Sequence, residues 1–351
     1  MKAYLDQCDS RYPLTNGAVF EFCGIRFRLR TNSEELFTYL RRFLDPFIAP
    51  VSPQTQVRPE ELLYDLTCRM VDDLPPLPET RRVLIRDGAP ASQYFGEACT
   101  MDGMRVILTE GTLICFDAPR IFMSSVNPAS MRKYARLLIR DIVQKQFEKN
   151  GGVTFHASSV IAPDGGMICI MGNKGSGKTT VLLEYLIRAK VYRCGLDRVM
   201  MEARDGGIMA YGWPILYNIG VGTLSRFAEL EHLIPEEIRK NNEVTWENKK
   251  KVVLEPFDLP YEARPKGKLS AILFPKISDA PHGLRRIDPE SALAHLRESC
   301  YTPNDPNFIN WHQYVTYDAA WETQNAQTLM ETMVRSVPCY ELKWKEEIQL
   351  L

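Results

Sequence analysis

The sequence has no membrane-spanning run, no paired-cysteine motif and no excess of either charge, and each absence removes a class of function. No apolar stretch approaches the ~18 residues that a membrane span needs. The first residues, Met1-Lys2-Ala3-Tyr4-Leu5-Asp6, lack the apolar core of a secretory leader, so we expect a cytoplasmic protein. Lys and Arg number 43 against 44 Asp and Glu, for a formal charge of −1. The balance is even along the chain: residues 1–150 carry 20 basic and 19 acidic side chains, the remainder 23 and 25. A nucleic-acid binder shows a basic excess and a membrane-surface binder a polybasic cluster, so neither partner is expected. The nine cysteines form no CxxC and no cysteine–histidine cluster with zinc spacing. Several lie in apolar runs, such as Cys115 within 113–116 and Cys169 within 167–171, as reduced, buried thiols do. There is no internal repeat and no low-complexity tract.

What is present suits an ordinary globular protein of about two domains: 351 residues, 45% hydrophobic and 25% charged. Residues 1–125 read as a small, mostly β, α+β domain. Its opening pair of strands, 18–22 and 25–30, alternates apolar and basic side chains in the second run. Ser33 and two glutamates then open a helix that closes before Pro46, and 62–70 is a strand. A hairpin of 104–108 and 113–116 turns at Gly111. Residues 126–150 carry a helix from Pro128 with a 3.6-residue apolar period, stopped by Asn150-Gly151-Gly152, and read as a connection. Residues 151–351 are α/β in pattern. A strand at 153–162 and a wholly apolar strand at 167–171 precede a helix at 178–190, with further strands at 199–203, 208–211 and 269–274. The polar stretch 229–251 reads as a helix and an exposed loop, and its Lys249-Lys250-Lys251 run as a solvated face.

One motif is strong. Gly172-Asn173-Lys174-Gly175-Ser176-Gly177-Lys178-Thr179 satisfies GxxxxGK[ST] between an apolar strand and an amphipathic helix. The glycines let the backbone wrap closely and turn its N–H groups toward phosphate oxygens, and the helix dipole favours the same anion. In this pattern Lys178 reaches the β- and γ-phosphates, and the Thr179 hydroxyl ligates Mg²⁺. A nucleotide site is therefore expected over residues 172–180, Thr180 included. A further carboxylate should hold the ion or activate the nucleophile, and Asp197, 19 residues after Lys178 and just before a strand, is the nearest candidate. His156, in the strand before the motif, fits a core histidine as well as a site residue. Trp213 and Pro214 read as packing, and Arg285-Arg286 and Lys266-Gly267-Lys268 as solvated charge.

From residue 153 to about 224 the chain resembles the C-terminal domain of HPr serine kinase/phosphorylase. It is more similar still to the HPr-kinase-related proteins of bacterial peptide-modification clusters. Ordered blocks carry the resemblance: Phe155-His156-Ala157-Ser158-Ser159-Val160; residues 172–180 with Leu182-Leu183-Glu184-Tyr185-Leu186; Asp197-Arg198-Val199; Gly212-Trp213-Pro214; Gly220-Val221-Gly222-Thr223-Leu224; and a closing Val337-Pro338-Cys339-Tyr340-Glu341-Leu342. The resemblance implies an HPr kinase/PEP carboxykinase-like P-loop domain, distinct from Ras-like and RecA-like sheets. It implies ATP and Mg²⁺, with carboxylates near the next strand that hold the ion and deprotonate an acceptor hydroxyl, and it extends to a homo-oligomer. His156 matches the family's strand histidine. The family carries two adjacent aspartates where this chain has Leu196 and Asp197. No HPr-binding signature is present, so HPr is not the expected acceptor.

The expected function is thus a kinase that moves the ATP γ-phosphate to a hydroxyl of a peptide, protein or small molecule, with Lys178, Asp197 and His156 catalytic and Thr179 and Asp197 on the metal. The alternative is an ATP-binding partner protein without transfer, which the missing aspartate favours. A motor or transporter ATPase is disfavoured, since no LSGGQ-like segment occurs.

Overall fold

The computed structural model describes residues 1–52, 54–87, 93–241, 244–245, 250–279, 283–345 and 348–351. Lys249 lies outside them. The chain forms two compact units, Met1–Gly151 with Pro303–Glu322, and Gly152–Thr302 with Thr323–Leu351.

The first unit is built on nine strands: β1 (Asn16–Phe22), β2 (Ile25–Thr31), β3 (Ala49–Pro50), β4 (Leu62–Met70), β5 (Arg81–Arg86), β6 (Tyr94–Met101), β7 (Met104–Thr109), β8 (Thr112–Asp117) and β9 (Arg120–Ser125). Their order is β3-β1-β2-β4-β9-β8-β7-β6-β5, antiparallel except where β4 lies parallel to β2 and β9. The alternation read in β2 is real: Ile25, Phe27, Leu29 and Thr31 are buried and the three arginines between them half-buried. Those arginines meet carboxylates on neighbouring strands and the turn before β4. Arg26 pairs with Glu21 and Glu61 at 2.6 and 2.9 Å, and Arg30 forks onto Asp65 at 3.1 and 2.9 Å. Helices α1 (Lys2–Arg11), α2 (Glu34–Leu44) and α3 (Pro128–Lys149) complete the unit. Ser33 caps α2 by accepting from the Leu36 N–H at 3.2 Å, and Asn127 caps α3 through Ala129 and Ser130.

The helix expected as a connection belongs to the first unit, and the segment Pro303–Glu322, expected with the second, returns to it. Buried polar groups explain both. Lys145 of α3 is fully buried, and its ammonium donates to Glu148 at 2.6 Å, the Pro303 carbonyl at 2.9 Å and Glu322 at 3.3 Å. Gln144 donates to Asp305 at 3.2 Å, and Trp311 Nε1 to Asp141 at 3.3 Å. Buried charges need partners, and the returning segment supplies them.

The second unit holds β10 (Val153–Phe155), β11 (Ala157–Ile161), β12 (Gly166–Met171), α4 (Lys178–Arg188), β13 (Tyr192–Arg193), β14 (Val199–Arg204), β15 (Gly207–Gly212), β16 (Tyr217–Gly220), α5 (Val221–Leu224), α6 (Glu236–Lys240), β17 (Lys251–Leu254), β18 (Lys266–Ile277), β19 (Gly283–Arg286), α7 (Pro289–Ser299), α8 (Ala319–Ser336, shared with the first unit) and β20 (Cys339–Trp344). The main sheet runs β10-β14-β15-β18-β12-β11-β13, with β20 between β18 and β19 and with β16 and β17 paired apart. It is mixed: β18 is parallel to β12 and β20, and the other pairs are antiparallel. The run read as one strand over 153–162 is two, broken at His156. β10 pairs with β14, while β11 pairs with β12 and β13. One continuous stretch of chain thus serves both halves of the strand order.

Alternation along β12 sorts its side chains into two layers. Met167, Cys169 and Met171 join a core with Ala292 and Leu296 of α7 and Met330 and Met333 of α8. Ile170 joins Val181, Leu182 and Tyr185 of α4. The unit is therefore a mixed sheet with helices on both faces. No described helix is long and apolar enough to cross a membrane. All nine cysteines are free, six of them buried.

Candidate functional site

The turn from β12 into α4 is shaped by glycine. Gly172, Gly175 and Gly177 have φ of 148°, 87° and 96°. At Gly177, the residue before α4, a Cβ would also overlap the indole of Trp344, standing 3.0 Å from Cε2 and 3.2 Å from Nε1. Gly177→Ala therefore combines a left-handed penalty of about 1–2 kcal/mol with overpacking of about 1–3 kcal/mol. We expect a loss of roughly 3 kcal/mol in urea unfolding at unchanged m-value.

Lys178 opens α4 and is buried, 7% exposed. Its side chain folds back over the turn, where Nζ donates to the Gly172 and Asn173 carbonyls at 2.6 and 3.1 Å. Burial pushes the ammonium down to about 8, with the Asp197 charge opposing the shift. That opposition places Asp197 within electrostatic reach of Lys178.

Asp197 is delivered by two serines of β11. Ser159 exchanges backbone and side-chain hydrogen bonds with Gly195: its N–H donates to the Gly195 carbonyl at 2.6 Å, and its Oγ accepts from the Gly195 N–H at 2.8 Å. Ser158 Oγ donates to the Leu196 carbonyl. Asp197 Oδ1 then meets His156 Nε2 at 3.0 Å. His156 sits at the break between β10 and β11, its N–H donating to the Ser299 carbonyl at 2.8 Å. Its ring stacks on Tyr301 with centroids 5.2 Å apart and planes 8° from parallel. Burial alone would raise the Asp197 carboxyl, but the His156 hydrogen bond and the charges of His156, Arg198 and Lys178 outweigh it and hold the group below the usual carboxylate range. The carboxylate is ionised yet remains 43% exposed.

Asp197 is thus joined to His156 by a hydrogen bond and acts through its charge on Lys178 at the head of α4. Thr179 is half-buried and Thr180 buried in the first turn, while Asn173, Lys174 and Gly175 are exposed on the preceding turn. Ser176 Oγ is buried and makes no hydrogen bond among the described residues. Leu196, where the resemblance implies a second aspartate, packs into the apolar layer under α4. Glu202 accepts from Tyr211 at 2.7 Å and pairs with Arg204, and Asp205 occupies the exposed turn to β15. Among the residues read as bland, Trp213 is buried, Arg285 pairs with Glu341 at 3.3 Å, and Lys268 packs against Gly207. Sequence reasoning missed Tyr301 and Trp344, which reach the site from more than a hundred residues away and carry no spacing signal.

Beside the turn lies a cleft of about 410 Å³ lined by residues 172–176 and 274–277 with His295, Glu298 and Glu341. Lys178, Asp197 and His156 do not line it.

No protein-family model and no curated protein matches the chain. Among solved structures it is similar to the Hpr(Ser) kinase/phosphatase from Coxiella burnetii, at 8% identity over 55% of this chain and 78% of that one, with a TM-score of 0.25. A superposition that loose carries no argument about function.

Proposed function

We propose that the chain is an ATP-dependent kinase that transfers the γ-phosphate to a hydroxyl, in the first instance of serine, on a peptide, protein or small molecule. The observation that carries this reading is the convergence of Lys178, at the head of a helix preceded by a glycine turn, with an ionised Asp197 held by His156. The N-terminus of α4 and the backbone N–H groups of residues 173–180 suit a polyphosphate. Lys178 would leave the Gly172 and Asn173 carbonyls to meet it. Asp197 takes the acceptor's proton as the hydroxyl oxygen bonds to the γ-phosphorus and the bond to the ADP oxygen breaks. His156 orients that carboxylate. Thr179 and Asp197 are the hard oxygen donors that would hold Mg²⁺, and a half-exposed carboxylate fits an ion that keeps several waters. Bound there, the ion would offset phosphate charge. The first unit is assigned to acceptor recognition.

A second reading, an ATP-binding partner protein without transfer, rests on the apolar placement of Leu196 where a second carboxylate would stand. Incubation with Mg-ATP and serine-peptide libraries separates the two. Phosphoserine product supports the kinase; tight binding with ATP recovered intact supports the partner protein.

Phosphate binding has a pH signature. Free Lys178 loses its proton near pH 8, and a bound polyphosphate would restore it. Affinity for Mg-ATP should be flat below that value and fall about tenfold per pH unit above it. Titration calorimetry across that range checks the slope.

A further inference from the structure

The cleft beside the glycine turn has no role in the chemistry above, and its lining says what it would take. It shares a wall with residues 172–176, so whatever occupies it touches the proposed phosphate-binding turn. None of Lys178, Asp197 or His156 lines it, so it is separate from the reacting centre. An acceptor hydroxyl has to reach Asp197 and cannot be served from there, whereas the base and ribose of a nucleotide must lie away from the γ-phosphate. Its volume, about 410 Å³, falls within the range of small-ligand sites.

The side chains match a nucleoside. Phe274 and His295 pack ring on ring, centroids 4.8 Å apart and planes 32° from parallel, and His295 remains 42% exposed, a surface on which a base can stack. Ile277, 44% exposed, extends the apolar wall. The Glu298 carboxylate accepts from Asn173 Nδ2 of the turn at 3.2 Å and lies 3.9 Å from His295 Nδ1, with capacity left to accept from ribose hydroxyls. Lys174, on the turn itself, adds a cation to the lining.

We infer that this cleft binds the nucleoside moiety of the nucleoside triphosphate whose phosphates lie on residues 172–180. The inference rests on the phosphate-binding reading of that turn, and the test separates the two. Mg-ATP and Mg-tripolyphosphate are titrated calorimetrically into wild type, Ile277→Trp, which fills the cleft, His295→Ala, which removes the stacking surface, and Lys178→Met. Both cleft positions are substantially exposed, so folding is preserved, and matching melting temperatures check it. The expected result is an ATP affinity at least about tenfold weaker in each cleft variant, with tripolyphosphate affinity within about twofold of wild type. Lys178→Met should weaken both ligands. Unchanged ATP affinity in the cleft variants, or equal losses for both ligands, overturns the nucleoside site while leaving the phosphate site standing. Failure of wild type to bind either ligand overturns the phosphate site and this inference with it.

Discussion

Lys178→Met should weaken Mg-ATP binding at least about a hundredfold with little change in stability. The ammonium is buried, and burial already presses it toward the neutral form, to about 8. A methionine of similar length removes that desolvation cost, which offsets the loss of two hydrogen bonds to the Gly172 and Asn173 carbonyls. A bound polyphosphate would lose a buried cation at the head of α4. Charge-assisted contacts of this kind contribute about 1.5–3 kcal/mol each, so affinity should fall at least about a hundredfold. Calorimetry with Mg-ATP, beside urea unfolding of the same variant, measures both halves. A variant that unfolds early, or that binds as wild type does, contradicts the assignment.

Lys145→Met should have the largest effect on stability. Lys145, Glu148 and Glu322 have fully buried side chains, and the ammonium lies 2.6 and 3.3 Å from the two carboxylates. Burial would lower the lysine, but the two glutamates outweigh it and hold it above its ordinary value. Burial raises Glu322, with Lys145 opposing. Without the cation, two carboxylates remain buried and uncompensated, and removing one partner of such a group costs about 3–5 kcal/mol. The sign of the pH dependence follows. A carboxyl whose folded pKa stands above its unfolded value destabilises the fold once pH exceeds the unfolded value, about 4.3, and the variant raises the folded value further. The deficit of Lys145→Met should therefore shrink as pH falls from 7 toward 5, and Lys145→Met with Glu322→Gln should recover part of the loss at pH 7. Urea unfolding at the two pH values reads both effects.

The features that could be read in the sequence were those set by local chemistry. The β7–β8 hairpin follows from two apolar runs around Gly111, and the cap of α2 stands at Ser33, a polar residue before an apolar period. The turn at 172–177 and the start of α4 follow from the glycine spacing, and Asp197 and His156 occupy one cluster with Lys178. What escaped depends on long-range packing. The break at His156 is hidden because both halves of 153–161 are apolar and extended, and only their different partners, β14 against β12, separate them. α1 buries little beyond Leu5 and Cys8 and gives no strong period. Lys145 and Glu148, three apart on a helix, look like a solvated pair; only the return of Pro303–Glu322 buries them. Trp344 and Tyr301 gain their roles from register and stacking that no local pattern encodes.

The proposed kinase chemistry requires Asp197 to take the proton of an acceptor hydroxyl while the turn before α4 holds ATP. The most direct test is transfer of labelled γ-phosphate from saturating Mg-ATP, to serine peptides and to water as surrogate acceptor, by wild type and Asp197→Asn. The carboxamide retains a partner for His156 but is a far weaker base. The expected result, at Mg-ATP concentrations that saturate each protein, is transfer lowered at least about a hundredfold in the variant, the size of a lost general base. Equal transfer by the two proteins, or none by wild type, would contradict it.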